Sequence, residues 1–177
     1  MNQKILLAAC LLAMAGTSGA SDAPRQNFEC DTPAGHFSYW NRTLSDATID
    51  VAGELAVNEL RKDGKWSPTA LVILQGPEGK VRFGIRLYNV AKVSEMYFIE
   101  FVKPSGNEKL GLGMVPGTKD PIPFALHLDS AGQLRVSLAG FDASTSVGDF
   151  RPSSIEFSCS TGDFEFRNFT IQESAAD

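Results

Sequence analysis

The stretch Phe124–Gly140, FALHLDSAGQLRVSLAG, decides how this chain folds. Phe124, Leu126 and Leu128 alternate with Ala125 and His127. Leu134, Val136 and Leu138 resume the alternation against Arg135 and Ser137. Between them Asp129-Ser130-Ala131-Gly132 is a polar break ending in glycine. Period-two patterning on both sides of such a break predicts a β-hairpin. After Gly140 and a loop, Ile155–Ile171 (IEFSCSTGDFEFRNFTI) repeats the theme and predicts a second hairpin. A sheet made this way has one apolar face, which must be buried against another layer.

The same alternation recurs upstream. Ile49, Val51, Leu55 and Val57 share one parity, with a bend expected at Gly53. Val81, Phe83, Ile85 and Leu87 oppose Arg82, Gly84, Arg86 and Tyr88. In Val93–Val102 the charge on Glu100 puts Tyr97, Ile99 and Phe101 inside, because a charged group avoids the core. Phe28-Glu29-Cys30 starts a first strand, which Thr32–Gly35 breaks, and His36–Leu44 is a short strand or an ordered loop. Gly76–Gly79 is a turn, and Leu110–Met114 suits a short edge strand. Pro121 and Pro123 restrict pairing before Phe124. No long, capped segment has a 3.6-residue period. The pattern therefore predicts an all-β, two-sheet antiparallel sandwich of ten to twelve strands, with at most one short helix. A calycin-type barrel with an internal cavity is the competing architecture.

Residues 1–20 read as an export signal: Lys4, then an apolar run from Ile5 to Ala15, then small Ser18-Gly19-Ala20. The run is too short to span a bilayer. A lipoprotein box at Leu7-Ala8-Ala9-Cys10 is the weaker alternative, because the apolar run continues past Cys10. A bacterial protein that is periplasmic or released is expected. Residues 21–27 form a loose lead-in, 28–172 one domain and 173–177 a tail. The net charge of −5 lacks a basic stripe and argues against nucleic acid. Beyond Cys10, Cys30 and Cys159 remain, and in an exported protein such a pair is most simply a disulfide. Closing so long a loop stabilises by about 4–5 kcal/mol on the chain-entropy account. Two separate buried thiols are the other reading. No ligand spacing supports a metal site, and no cofactor is expected.

The hairpin over Phe124–Gly140, the I-E-F strand at Ile155 and the F-E-F-R-N-F-T-I strand ending at Ile171 resemble the concanavalin A-like lectin/glucanase superfamily, which includes laminin-G-like modules. Gly84-Ile85-Arg86 followed by the strand around Tyr97–Phe101 is similar to the strand order of its secreted sugar-hydrolase-like members. The resemblance covers residues 28–172. It implies a jelly roll whose first and last strands are neighbours, a topology that a Cys30–Cys159 bond fits. It leaves open carbohydrate-binding modules, glycan hydrolases, lyases and adhesion domains.

No catalytic motif stands out. The superfamily's glucanase string Glu-x-Asp-x-x-Glu is met only by Thr48–Glu54, without the first glutamate and with the spacing off by one. Asp50 and Glu54 share a face but sit about 13 Å apart along a strand, whereas a retaining hydrolase needs its carboxyls about 5–5.5 Å apart. Outward parity selects Glu54, Arg82, Arg86, Tyr88, Glu100, His127 and Arg135 as candidates to line a concave face. Arg86, Glu100 and His127 would supply hydrogen bonds, with Arg82 beside them, while Tyr88, Trp66 and Trp40 would stack on sugar rings. The bland reading of the polar residues is a row of cross-strand charge pairs on a wet sheet, and that of the rings is core packing. The expected function is a non-catalytic glycan-binding module. An envelope-structural or protein-binding domain is the alternative, and a glycan-cleaving enzyme the third reading.

Overall fold

The computed structural model describes residues 23–45, 48–61, 65–90, 96–104 and 110–175; the expected export signal lies outside them. Ten strands follow in order: β1 (Gln26–Thr43), β2 (Thr48–Leu60), β3 (Thr69–Gln75), β4 (Arg82–Asn89), β5 (Met96–Val102), β6 (Leu110–Pro116), β7 (Ile122–Leu128), β8 (Gln133–Leu138), β9 (Phe141–Ser146) and β10 (Ser154–Ser174). Among the described residues the one helical element is a 3-10 turn, Pro77–Gly79. The expected His36–Leu44 segment is strand as far as Thr43, and pairing begins earlier than expected, at Gln26 opposite Phe169. It also begins earlier in β7, where Ile122 faces Leu55 despite its flanking prolines.

Every pairing is antiparallel, and the strands form one hydrogen-bonded sheet folded over on itself. The fold line is the β1–β10 ribbon. β10 carries β1 along one edge, while its other edge pairs first with β3 (154–160) and then with β2 (162–174). Sheet one is thus β6-β5-β4-β3 plus the first half of β10 and the last half of β1. Sheet two is β9-β8-β7-β2 plus the remaining halves. The first and last strands are neighbours, as a jelly roll requires.

The second expected hairpin does not exist. Ser160-Thr161-Gly162-Asp163 is a corner in one continuous 21-residue strand. A turn would have paired Ile155–Ser160 with Asp163–Ile171; instead β1 pairs with both and keeps the chain extended. Thr161 (φ 56) and, on β1, Gly35 (φ 77) take the left-handed conformation there. Thr32 Oγ1 donates to Gly162 O at 3.0 Å, and Gly35 N–H donates to Thr161 Oγ1 at 3.3 Å. The corner shifts parity by one, so that Phe157 and Cys159 before it and Phe164 and Phe166 after it are all buried. A bulge at Asn168 (φ 51) shifts it back for Phe169 and Ile171. The Cys30–Cys159 disulfide, Cα–Cα 6.1 Å, bridges β1 and β10 across this corner.

Phenylalanine fills the space between the sheets. Phe157 stacks on Phe169 at 4.3 Å and meets Phe166 edge-on at 5.2 Å. Such pairs add about 0.5–1.5 kcal/mol beyond area burial. Gly53 faces this cluster: a Cβ there would lie 2.7 Å from Phe169 Cβ and 2.8 Å from the Phe124 ring. Gly113 of β6 lies beneath the Phe141 ring of β9, which brings the two remaining sheet edges together. A ring-filled sandwich, not a hollow calycin barrel, is the result.

Candidate functional site

The candidate residues fall on two opposite outer faces. Pairing registers place Arg82, Arg86, Tyr88 and Glu100 outside sheet one and Glu54, His127 and Arg135 outside sheet two. The trio Arg86, Glu100 and His127 therefore does not converge, because β4 and β5 belong to one layer and β7 to the other.

On sheet one the polar groups engage one another, with Arg86 Nε alone among the described buried side-chain polar atoms left without a partner. Arg86 faces Glu100 across β4–β5 and forms an ion pair with it. Its guanidinium lies 4.5 Å over the Tyr88 ring, which stacks on Phe98 at 5.3 Å. Tyr88 is thus engaged by both a guanidinium and a second ring. Burial pushes the Tyr88 phenol above the usual tyrosine range, and its hydrogen bond to Glu100 pushes the same way. Arg82 reaches Glu156 at 3.2 Å, and Gln75 Nε2 and Ser158 Oγ also donate to that carboxylate. Trp40 turns inward, edge-on to Phe157 at 5.5 Å and Phe169 at 5.4 Å, and packs half-buried against the core. Trp66 is exposed in the loop before β3.

Sheet two differs. One outer row runs across the strands as Gln172, Asp50, His127, Arg135 and Ser144. The next row is small: Thr170, Ala52, Ala125 and Ser137, ending at Asp142. Beyond it come Arg167, Glu54 and Pro123. Short side chains between rows of long ones make a trough perpendicular to the strands. An open groove is present at its β7–β9 end, lined by His127, Arg135, Ser137, Asp142 and Ser144 over Ala125. His127 Nδ1 is hydrogen-bonded to Asp50 Oδ1 at 2.5 Å, which fixes the imidazole. On the far bank, Glu165 holds Arg167 firmly protonated, mainly by hydrogen bonding, with Glu54 adding to it. The side chains of Arg135 and Asp142 have no hydrogen bond or ion pair among the described residues.

Parity alone exposed His127 and Arg135, but not the floor between them. Ala52, Ala125 and Ser137 are unremarkable singly, and only the register that aligns them reveals a channel. Among the described residues, no three His, Cys, Asp or Glu side chains are grouped to hold a metal ion.

No family profile matches the sequence, and no curated protein matches it. Solved structures do match in fold. The Scytalido-glutamic peptidase aligns with a TM-score of 0.55 and 12% identity over 83% of each chain. The CBM2 module of the evolved Dit of Lactobacillus casei BL23 phage J-1 aligns at 0.54 and 10% identity, over 79% of this chain and 71% of the other. The Pseudomonas aeruginosa alginate lyase PA1167 aligns at 0.51 and 11% identity, over 72% and 65%. The chain has the concanavalin A-like lectin/glucanase fold, a jelly-roll β-sandwich. At these identities the likeness concerns the fold alone, and the site must supply the function.

Proposed function

We propose that this chain is an exported glycan-binding domain whose ligand lies in the trough across sheet two. The observation that carries this reading is the groove at His127, Arg135 and Asp142, in which the side chains of the last two have no hydrogen bond or ion pair among the described residues. On sheet one the arginines and carboxylates of β4, β5 and β10 consume each other; here an arginine fork and a carboxylate stay available for hydroxyl groups. A small floor admits a saccharide chain close to the backbone, and the paired His127 presents its ring in a set orientation. A CBM2 module and two alginate lyases among proteins of the same fold support the ligand class. The Cys30–Cys159 bond suits an oxidising compartment outside the cytoplasm.

A glycan array with the protein lacking residues 1–20 tests the reading. Binding to a defined set of glycans that disappears in both Arg135→Ala and His127→Ala is expected. Silence of the wild type across the array shifts the assignment to an envelope-structural or protein-binding domain. The His127–Asp50 pair favours one second reading, acid–base cleavage of the bound glycan. Incubation of array-positive glycans with enzyme and the appearance of new reducing ends would select it.

A further inference from the structure

The outer face of sheet one, on the side of the sandwich away from the trough, carries an exposed apolar band. Pairing registers set its first row, strand by strand from β1 to β6, as Phe37, Ser160, Thr69, Tyr88, Phe98 and Met114. Phe37 is 67% exposed at one end and Met114 54% exposed at the other. Tyr88 and Phe98 are partly exposed between them. The next row starts at Tyr39, 55% exposed, and continues through Ser158 to partly exposed Leu71. The Phe37 and Tyr39 rings lie within 20° of parallel at 6.3 Å. Ser158 and Ser160, between these rings and β3, are short and buried. The band therefore crosses all six strands of the sheet.

We infer that this face docks a second copy of the chain, band upon band, in a symmetric dimer. Contiguous exposed apolar surface of this kind marks a protein-docking site, and aromatic residues and methionine are enriched in such interfaces. Charge selects the occupant. The outward charges on the strands of sheet one are two arginines and two glutamates, joined as Arg86–Glu100 and Arg82–Glu156. The face is thus neutral although the chain carries −5, and an identical face meets no repulsion there. Self-docking through sheet two would instead bury Arg135 and Asp142, whose side chains have no ion pair among the described residues, against their own copies. The two ends of the band also suit each other. A two-fold contact uses the same patch on both copies. With the axis along the strands, the β6 end of each band lies over the β1 end of the other, and Met114 meets Phe37 and Tyr39. A thioether against an aromatic ring is a favourable contact. Six strands about 4.8 Å apart and about seven residues long span roughly 29 by 23 Å, about 670 Å² in projection. That is of the same order as the roughly 800 Å² per partner that a standard stable complex buries. The dimer does not rest on the glycan-binding reading but bears on it. The troughs lie on the opposite layers, so a dimer would turn two of them outward and hold a polymer more tightly than one domain alone.

The test is sedimentation velocity of the protein lacking residues 1–20, over a range of about 1 to 100 μM. A reversible monomer–dimer equilibrium is expected. Phe37→Ala/Met114→Ala should raise its dissociation constant about tenfold or more. The Tm of that variant at the lowest concentration should match the wild type, because both side chains are largely exposed within one copy. Arg135→Ala, on the opposite layer, should leave the equilibrium unchanged. A wild type that stays monomeric at the top of the range would overturn the inference and leave the band to a different partner. So would a dimer that the double variant forms as readily, or one that Arg135→Ala abolishes, because the contact would then lie elsewhere. A silent glycan array together with an intact dimer would remove the trough reading and leave this one standing.

Discussion

The outer faces of the two sheets are made from similar residues and behave differently. Around β4 and β5, Arg86 pairs with Glu100 and lies over the Tyr88 ring, Phe98 stacks on that ring, and Arg82 is bound to Glu156. Across β2, β7, β8 and β9 the partners of two charges are taken or too short. His127, opposite Arg135, is bound to Asp50, Ser144 on its other side is short, and so is Ser137 opposite Asp142. The Arg135 and Asp142 side chains therefore have no hydrogen bond or ion pair among the described residues beside an open groove. A charged residue on a wet sheet becomes part of the scaffold when its cross-strand partner is long enough to meet it. It stays available to a ligand when the partner is too short or already engaged. The reach and prior engagement of the side chain at the adjoining register position, rather than charge, separate a structural lattice from a binding surface here.

That contrast can be attacked from several sides. The largest effect concerns what both faces share. Cys30→Ser should lower stability by about 2–5 kcal/mol, read as the midpoint of urea unfolding with and without reductant, since the bond fastens the corner from which both sheets diverge. Phe157→Ala removes a ring in contact with Phe169, Phe166, Phe124 and Trp40 and should cost about 3–5 kcal/mol. Neither change discriminates between the faces. Glu100→Ala does, because it strips Arg86 of its ion pair; Arg86 Nε already lacks a partner. A loss of about 1–3 kcal/mol is expected, with glycan binding unaltered in isothermal titration. A smaller effect follows from Tyr88. Its native pKa is raised, so the unfolded state ionises first, near pH 10. The contribution is intact below about pH 10 and is lost as pH rises from there through the native value. Chemical unfolding from pH 8 to 11 should show a steeper decline for wild type than for Tyr88→Phe. Arg135→Ala should shift stability by no more than about 0.5 kcal/mol, yet abolish glycan binding.

Much of the fold was readable in the amino-acid order, and the failures are informative. The hairpin over Phe124–Gly140 is β7–β8, and Tyr97, Ile99 and Phe101 are buried as the charge on Glu100 required. The apparent second hairpin misled because Ser160-Thr161-Gly162-Asp163 has turn chemistry whether the chain reverses or only bends. What decides is the partner strand, and β1 lies more than a hundred residues away. Tyr39 and Trp40 show the same limit. Either could face solvent, and Gly35 with the register shift at the corner prevents parity being carried forward from Cys30. The trough was least legible, since its floor consists of alanines and a serine that matter only by alignment.

The most direct test is a backbone amide NMR titration with a glycan from the array. Progressive shifts at Asp50, His127, Arg135 and Ser137, with Arg86, Glu100 and Glu156 unmoved, are what the contrast between the faces predicts. Shifts centred on Arg86 and Glu100 with a silent trough would contradict it.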